Sequence, residues 1–95
     1  MIYNNVILTV KDEANIITIK GLLTEQGTLS KQEPGCERFE VYHSKADSKI
    51  FILIEQWASD ETLDAHRQAK AYVEVYQPKV LPLVDRVPHP ANKIF

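Results

Sequence analysis

Few side chains in this sequence can move a proton near neutral pH, and His66 is the first of them. An imidazole titrates close to neutrality, so at a protected position it can take the proton of a weakly acidic hydroxyl such as a phenol's. The competing reading is a histidine at the edge of the core, bonded to a neighbour and without chemistry. Tyr72 and Tyr76 lie four residues apart on one helical face. Their hydroxyls can bind a substrate oxygen, although a packing stripe accounts for at least one of them as well. Trp57 closes an apolar strand, either as the aromatic wall of a pocket or as packing. Glu55 shares its face two residues earlier; if buried, its carboxyl must be paired, whether by orienting His66 or by holding a helix N-terminus. Asn5 is an amide in mid-strand among apolar neighbours, and a buried amide needs partners. These spacings lead us to expect His66, Trp57, Tyr72 and Asn5 around one pocket.

Composition excludes several classes of function. Cys36 is the only cysteine, so no intrachain disulfide or multi-cysteine metal site can form. Nothing beside it in sequence marks a nucleophile of low pKa, and it reads as a small buried hydrophobe. The chain has no Gly-rich dinucleotide fingerprint and no clustered histidines, so no flavin, haem or metal is expected as cofactor. A net charge of −2 with scattered Lys and Arg offers no basic stripe for nucleic acid. No run reaches membrane-spanning length, and Met1-Ile2-Tyr3-Asn4-Asn5 lacks the pattern of a signal peptide, so a cytoplasmic location is expected.

The elements that must position these side chains follow from periodicity. Ile2 to Val10 is rich in β-branched residues and apolar on both alternating sets, so this strand should be covered on both faces. From Ala14 the spacing turns helical, with Ile16, Ile19, Leu22 or Leu23, Gln26 and Leu29 on one side. Gly21 and Gly27 weaken that helix, and Glu33-Pro34-Gly35 ends it. Cys36 to His43 alternates as a strand, with Phe39 and Val41 opposite Arg38, Glu40 and Tyr42. After a polar loop, Ile50 to Trp57 gives the strongest strand signal, again apolar on both faces. Ser59 is a good N-cap for a short helix through Leu63, His66 and Arg67. A further helical stretch carries Tyr72, Val73, Tyr76 and Val80, with a kink or break expected at Pro78. A last strand is predicted from about Leu81 to Val87, with Pro88-His89-Pro90 forcing the tail out of the sheet.

The order β-α-β-β-α-β is that of a ferredoxin-like α+β domain, and residues 1–95 leave room for one domain only. Helices cover one face of such a sheet. The second apolar face calls for another copy, so a homodimer closing as an α+β barrel is expected.

Glu33-Pro34-Gly35-Cys36, Ile54-Glu55-Gln56-Trp57 and Leu63-Asp64-Ala65-His66, in this order and spacing, resemble the antibiotic biosynthesis monooxygenase family, and most closely its quinol monooxygenase branch. The resemblance covers nearly the whole chain and is weakest through the first helix. It implies a dimer of ferredoxin-like protomers, each with an apolar pocket between sheet and helices. It also implies oxidation of a small aromatic or quinol-like molecule by dioxygen without metal or flavin. His66 falls where the family places a histidine, and some members use an asparagine of the first strand for substrate or oxygen. Where many relatives follow that histidine with Thr-Pro-His-aromatic, this chain has Ala69-Lys70-Ala71-Tyr72, keeping the aromatic and lacking the second histidine. A non-catalytic small-molecule-binding or stress-response dimer is therefore the second reading. Haem binding is the third, and it would set Tyr76 where haem-binding relatives carry their axial histidine, with His43 and His89 on other elements.

Overall fold

Alternation along the strands decides what the helices cover. In the computed structural model, which describes all 95 residues, strand β1 (Ile2–Val10) buries Asn4, Val6, Leu8 and Val10 on one face. Strand β3 (Ile50–Trp57) pairs antiparallel with it and buries Phe51, Leu53, Glu55 and Trp57 on that same face. Strand β2 (Cys36–His43) lies outside β3 and β4 (Val84–Ala91) outside β1, giving the antiparallel order β2-β3-β1-β4. Helix α1 (Ile16–Ser30) packs onto the buried face through Ile19, Leu23 and Gln26, and the short helix α2 (Asp60–His66) through Leu63 and His66. This is the ferredoxin-like α+β arrangement expected from the pattern of elements. The main core joins Val6, Leu8, Ile19, Leu23, Phe51 and Leu53, and a smaller cluster of Phe39, Trp57 and Leu63 lies at the α2 end.

The other face of the sheet carries no helix. Ile7, Ile52 and Ile54 stand on it, only partly buried, beside Tyr42 and Val87, each half exposed.

Two local expectations are corrected, the start of α1 and the effect of Pro78. The chain enters α1 through a 3-10 turn, Glu13–Asn15, because the Asp12 carboxylate accepts the Ala14 N–H and caps that turn first. α1 then runs unbroken past both glycines to Ser30, with the Phe39 ring 3.8 Å from where a Cβ on Gly27 would stand. Pro78 does not break the following helix. Residues Ala71–Val80 form a π-helix, in which the Leu81 N–H bonds back five residues to Tyr76, and Pro78 sits inside it. The wide turn accommodates the missing donor without ending the helix.

The last strand differs most. Leu81–Leu83 is a 3-10 turn, and β4 begins at Val84 and continues through Pro88-His89-Pro90. β4 is an edge strand paired only to β1, with Pro88 opposite Val6 and Pro90 opposite Asn4. Two residues apart, both prolines turn their missing donors to the same unpaired side, where an edge strand tolerates them and where they hinder a further strand from adding.

Gly35 holds the α1–β2 turn against α2. Its φ is +78°, and a Cβ there would overlap the side chain of Thr62. Thr62 in turn completes a reciprocal cap with Ser59 at the start of α2. The Gly35 carbonyl also accepts the Ala58 N–H at 2.8 Å. Gly35→Ala should therefore cost about 1–3 kcal/mol from backbone strain alone, with the overlap adding to it. A melting temperature within 1 or 2 °C of wild type would contradict this account of the turn, since about 4–8 °C is expected per kcal/mol in a domain of this size.

Candidate functional site

The clamp at Gly35 brings two distant segments together. Glu33, in the turn after α1, reaches His66 at the end of α2, and His66 Nδ1 lies 2.7 Å from Glu33 Oε1. The His66 side chain is 3% exposed and that of Glu33 15%. An ionised carboxylate only accepts, so Nδ1–H donates, and the basic lone pair is left on Nε2. The ring lies against Trp57, with centroids 4.4 Å apart, and meets the edge of Tyr72 at 5.7 Å. Tyr72 continues the row to Tyr76, 5.3 Å away.

Around this row the buried face of the sheet becomes polar. Glu55 accepts the Trp57 indole N–H at 3.0 Å, and Arg86 donates to the Tyr76 hydroxyl at 3.0 Å. Asn4 and Gln26 complete the wall, lining one internal void with Glu55, His66, Tyr72 and Arg86. The void measures about 10 Å³, room for one water. Burial pushes the Glu55 carboxyl above the usual range, opposed by the Trp57 N–H and by His66, Arg86 and Arg67. Burial likewise pushes the Tyr76 phenol up to about 12, against the pull of Arg86, so Tyr76 stays protonated and serves as a hydrogen-bonding group rather than a base. The Cys36 thiol is pushed to about 11 by burial and then by the carboxylates of Glu33 and Glu55, which keeps it a thiol near neutrality. His66 also borders an open cleft of about 190 Å³ lined by Glu33, Pro34, Glu61, Thr62, Ala65 and Ala69.

Set against the sequence, His66, Trp57, Tyr72, Tyr76 and Glu55 meet at one place. Asn5 does not. It pairs with Ile54 and His89 on the open face of the sheet, and the inward amide is its neighbour Asn4. The correction was available in the alternation, because Asn4 shares its parity with the inward Val6, Leu8 and Val10. Glu55 takes neither of the two roles left open for it: it is held by Trp57, two residues along the same strand face, and Glu33 takes the histidine. From the sequence, Glu33 stands only as a helix-ending residue and in the motif Glu33-Pro34-Gly35-Cys36, Gln26 only in the stripe of α1, and Asn4 and Arg86 with no role in the site. Gln26 had a signal as the one amide in the apolar stripe of α1; Arg86 had none. His43 is engaged elsewhere, stacked on Phe51 at 4.2 Å and bonded to the Ser48 carbonyl. No three His, Cys, Asp or Glu side chains converge as a metal site. No helix is long and apolar enough to cross a membrane.

Solved structures share this architecture. A conserved protein of Bacteroides thetaiotaomicron superposes with a TM-score of 0.87 at 23% identity, over 95% of this chain and 94% of that one. A Pseudomonas aeruginosa protein gives 0.85 at 16% identity, covering 99% and 95% of the two chains. A structure described as an antibiotic biosynthesis monooxygenase gives 0.85 at 18% identity over 97% and 98%. Likeness at these identities establishes the fold alone. Among curated proteins none matches the sequence. The model of one family, antibiotic biosynthesis monooxygenase, matches residues 1–77, and the chain belongs to that family.

Proposed function

We propose that this protein is a monooxygenase that oxidises a small phenol or quinol-like ring with dioxygen and no bound cofactor, with His66 as general base. The observation that carries the reading is the His66–Glu33 pair, buried and packed against Trp57 and Tyr72. Glu33 fixes the ring and its tautomer, so Nε2 is the atom that takes the proton of a ring hydroxyl. The resulting anion passes one electron to dioxygen, and the ring radical and superoxide recombine to form a carbon–oxygen bond. Loss of water from that peroxide leaves a new carbonyl. One oxygen atom enters the ring and the other leaves as water, the substrate having supplied all the electrons. Trp57 and Tyr72, packed against His66, shield the radical pair from solvent. A ring needs more space than one water, so Tyr72 and the π-helix must move outward on binding, and π-helical turns recur at sites that do so.

The reading includes a homodimer, because Ile7, Ile52 and Ile54 form an apolar face that the chain itself does not cover. Two such faces stacked would close an α+β barrel, and stable interfaces of this kind commonly bury on the order of 2,000 Å². Ile52 lies at the middle of that face, paired with Ile7 and Tyr42. Ile52→Lys should convert a dimer into monomers in sedimentation at micromolar concentration. A wild-type protein that sediments as a monomer would overturn this part of the proposal.

Oxygen uptake with a panel of quinols tests the activity. His66→Ala should lower turnover per folded molecule by about 100- to 10,000-fold with assembly kept, beyond whatever the loss of the Glu33 pair takes from the melting temperature. Glu33→Gln keeps an acceptor for Nδ1–H but loses the charge, and should lose less. A His66→Ala protein that melts far lower, yet keeps its rate per folded molecule, would make His66 structural. A wild-type protein that consumes no oxygen with any quinol would leave the alternative of a small-molecule binder.

A further inference from the structure

Two acceptors in the site have no donor. Asn4 Oδ1 and Gln26 Oε1 are sealed from solvent and unpartnered, and both residues line the void beside His66. Asn4 is 6% exposed and Gln26 1%. Gln26 stands in the buried stripe of α1 between Leu23 and Ser30, and Asn4 in that of β1 before Val6, positions where an apolar side chain would be the stable choice. An unpaired buried acceptor is costly, and the cost disappears when a ligand brings a donor. The donors that also line the void, on Arg67, Tyr72 and Arg86, make no hydrogen bond to either oxygen, and Arg86 Nε is engaged by the Tyr76 hydroxyl.

We infer that Asn4 and Gln26 are specificity determinants, selecting a ring that carries free hydroxyl groups over the same ring in its ether or quinone form. The inference rests on the proposed function in placing the ring beside His66, and it names what that site selects. A hydroxylated ring donates to the two amide oxygens once the pocket opens. An ether or a quinone has only acceptors to offer and leaves both amide oxygens unpaired. The product of the oxidation is poorer in donors than the substrate, so the same two residues favour its release.

Calorimetric titration of the full protein with a naphthalenediol, its dimethyl ether and the matching quinone, under anaerobic conditions, tests this without turnover. The diol should bind at least about tenfold tighter than either analogue. Gln26→Met and Asn4→Leu should each bring that ratio towards unity. Gln26→Met should also raise the melting temperature, since it removes an unpaired polar group from the free protein; a glutamine kept for packing or hydrogen bonding would give a fall. Equal binding of diol and ether by wild type, no binding of either, or a ratio unchanged in both variants would overturn the inference. Diol-selective binding without oxygen uptake would support the inference while removing the oxygenase reading. Oxygen uptake with no preference for the diol would do the reverse.

Discussion

The 2.7 Å contact between His66 and Glu33 is the interaction on which the rest of the site depends. It joins residues 33 apart in sequence, and it forms only because the turn after α1 is pressed against the first turn of α2. Glycine at position 35 allows that approach, for both conformational and steric reasons. The bond is made where the histidine has almost no solvent, so its partner there is a structural necessity as well as a chemical asset. Removing one member of such a pair leaves the other buried and uncompensated, a loss usually of about 3–5 kcal/mol when the remaining group is charged. Neutral or charged, the ring is held in one orientation, and a fixed ring is what general-base chemistry requires.

The two faces of the sheet do different work. On the helix-covered face the apolar core gives way, towards α2 and β4, to a polar pocket containing Glu55, Asn4, Gln26 and Arg86. That pocket is narrow and incompletely satisfied, with two amide oxygens lacking donors. Proteins tolerate such groups where binding repays them, and the π-helix over the pocket is of a kind that recurs at functional sites. On the open face isoleucines replace polar residues at the centre, a pattern suited to a flat contact rather than to chemistry.

Much of this was legible in the sequence. Period-two alternation in β1 and β3 and helical spacing after Ala14 were enough for the ferredoxin-like order, because each is a local consequence of burial. Gly35 and Ser59 could be read as turn and cap on conformational grounds alone. The histidine, tryptophan and tyrosines of the site could be grouped because each lies on the inward side of its own element. What escaped was information carried between elements. Nothing in the sequence near Glu33 indicates that it meets His66, and Arg86 reaches the pocket from a strand that is exposed beyond Val84. The tail was misread for a related reason: prolines exclude a central strand, and only the sheet order reveals that β4 is an edge. Asn4 and Asn5 differ by one register step, which is all that separates the pocket from the opposite face.

The central claim is that a ring binds on the helix-covered face with a hydroxyl at His66. A crystal structure of the protein soaked anaerobically with a diol tests it most directly. The account predicts a ring against Trp57, a hydroxyl oxygen about 3 Å from His66 Nε2, Tyr72 displaced outward and the Glu33 contact intact. Density for the ring on the open face of the sheet, or a His66 swung away from Glu33 in the complex, would contradict it.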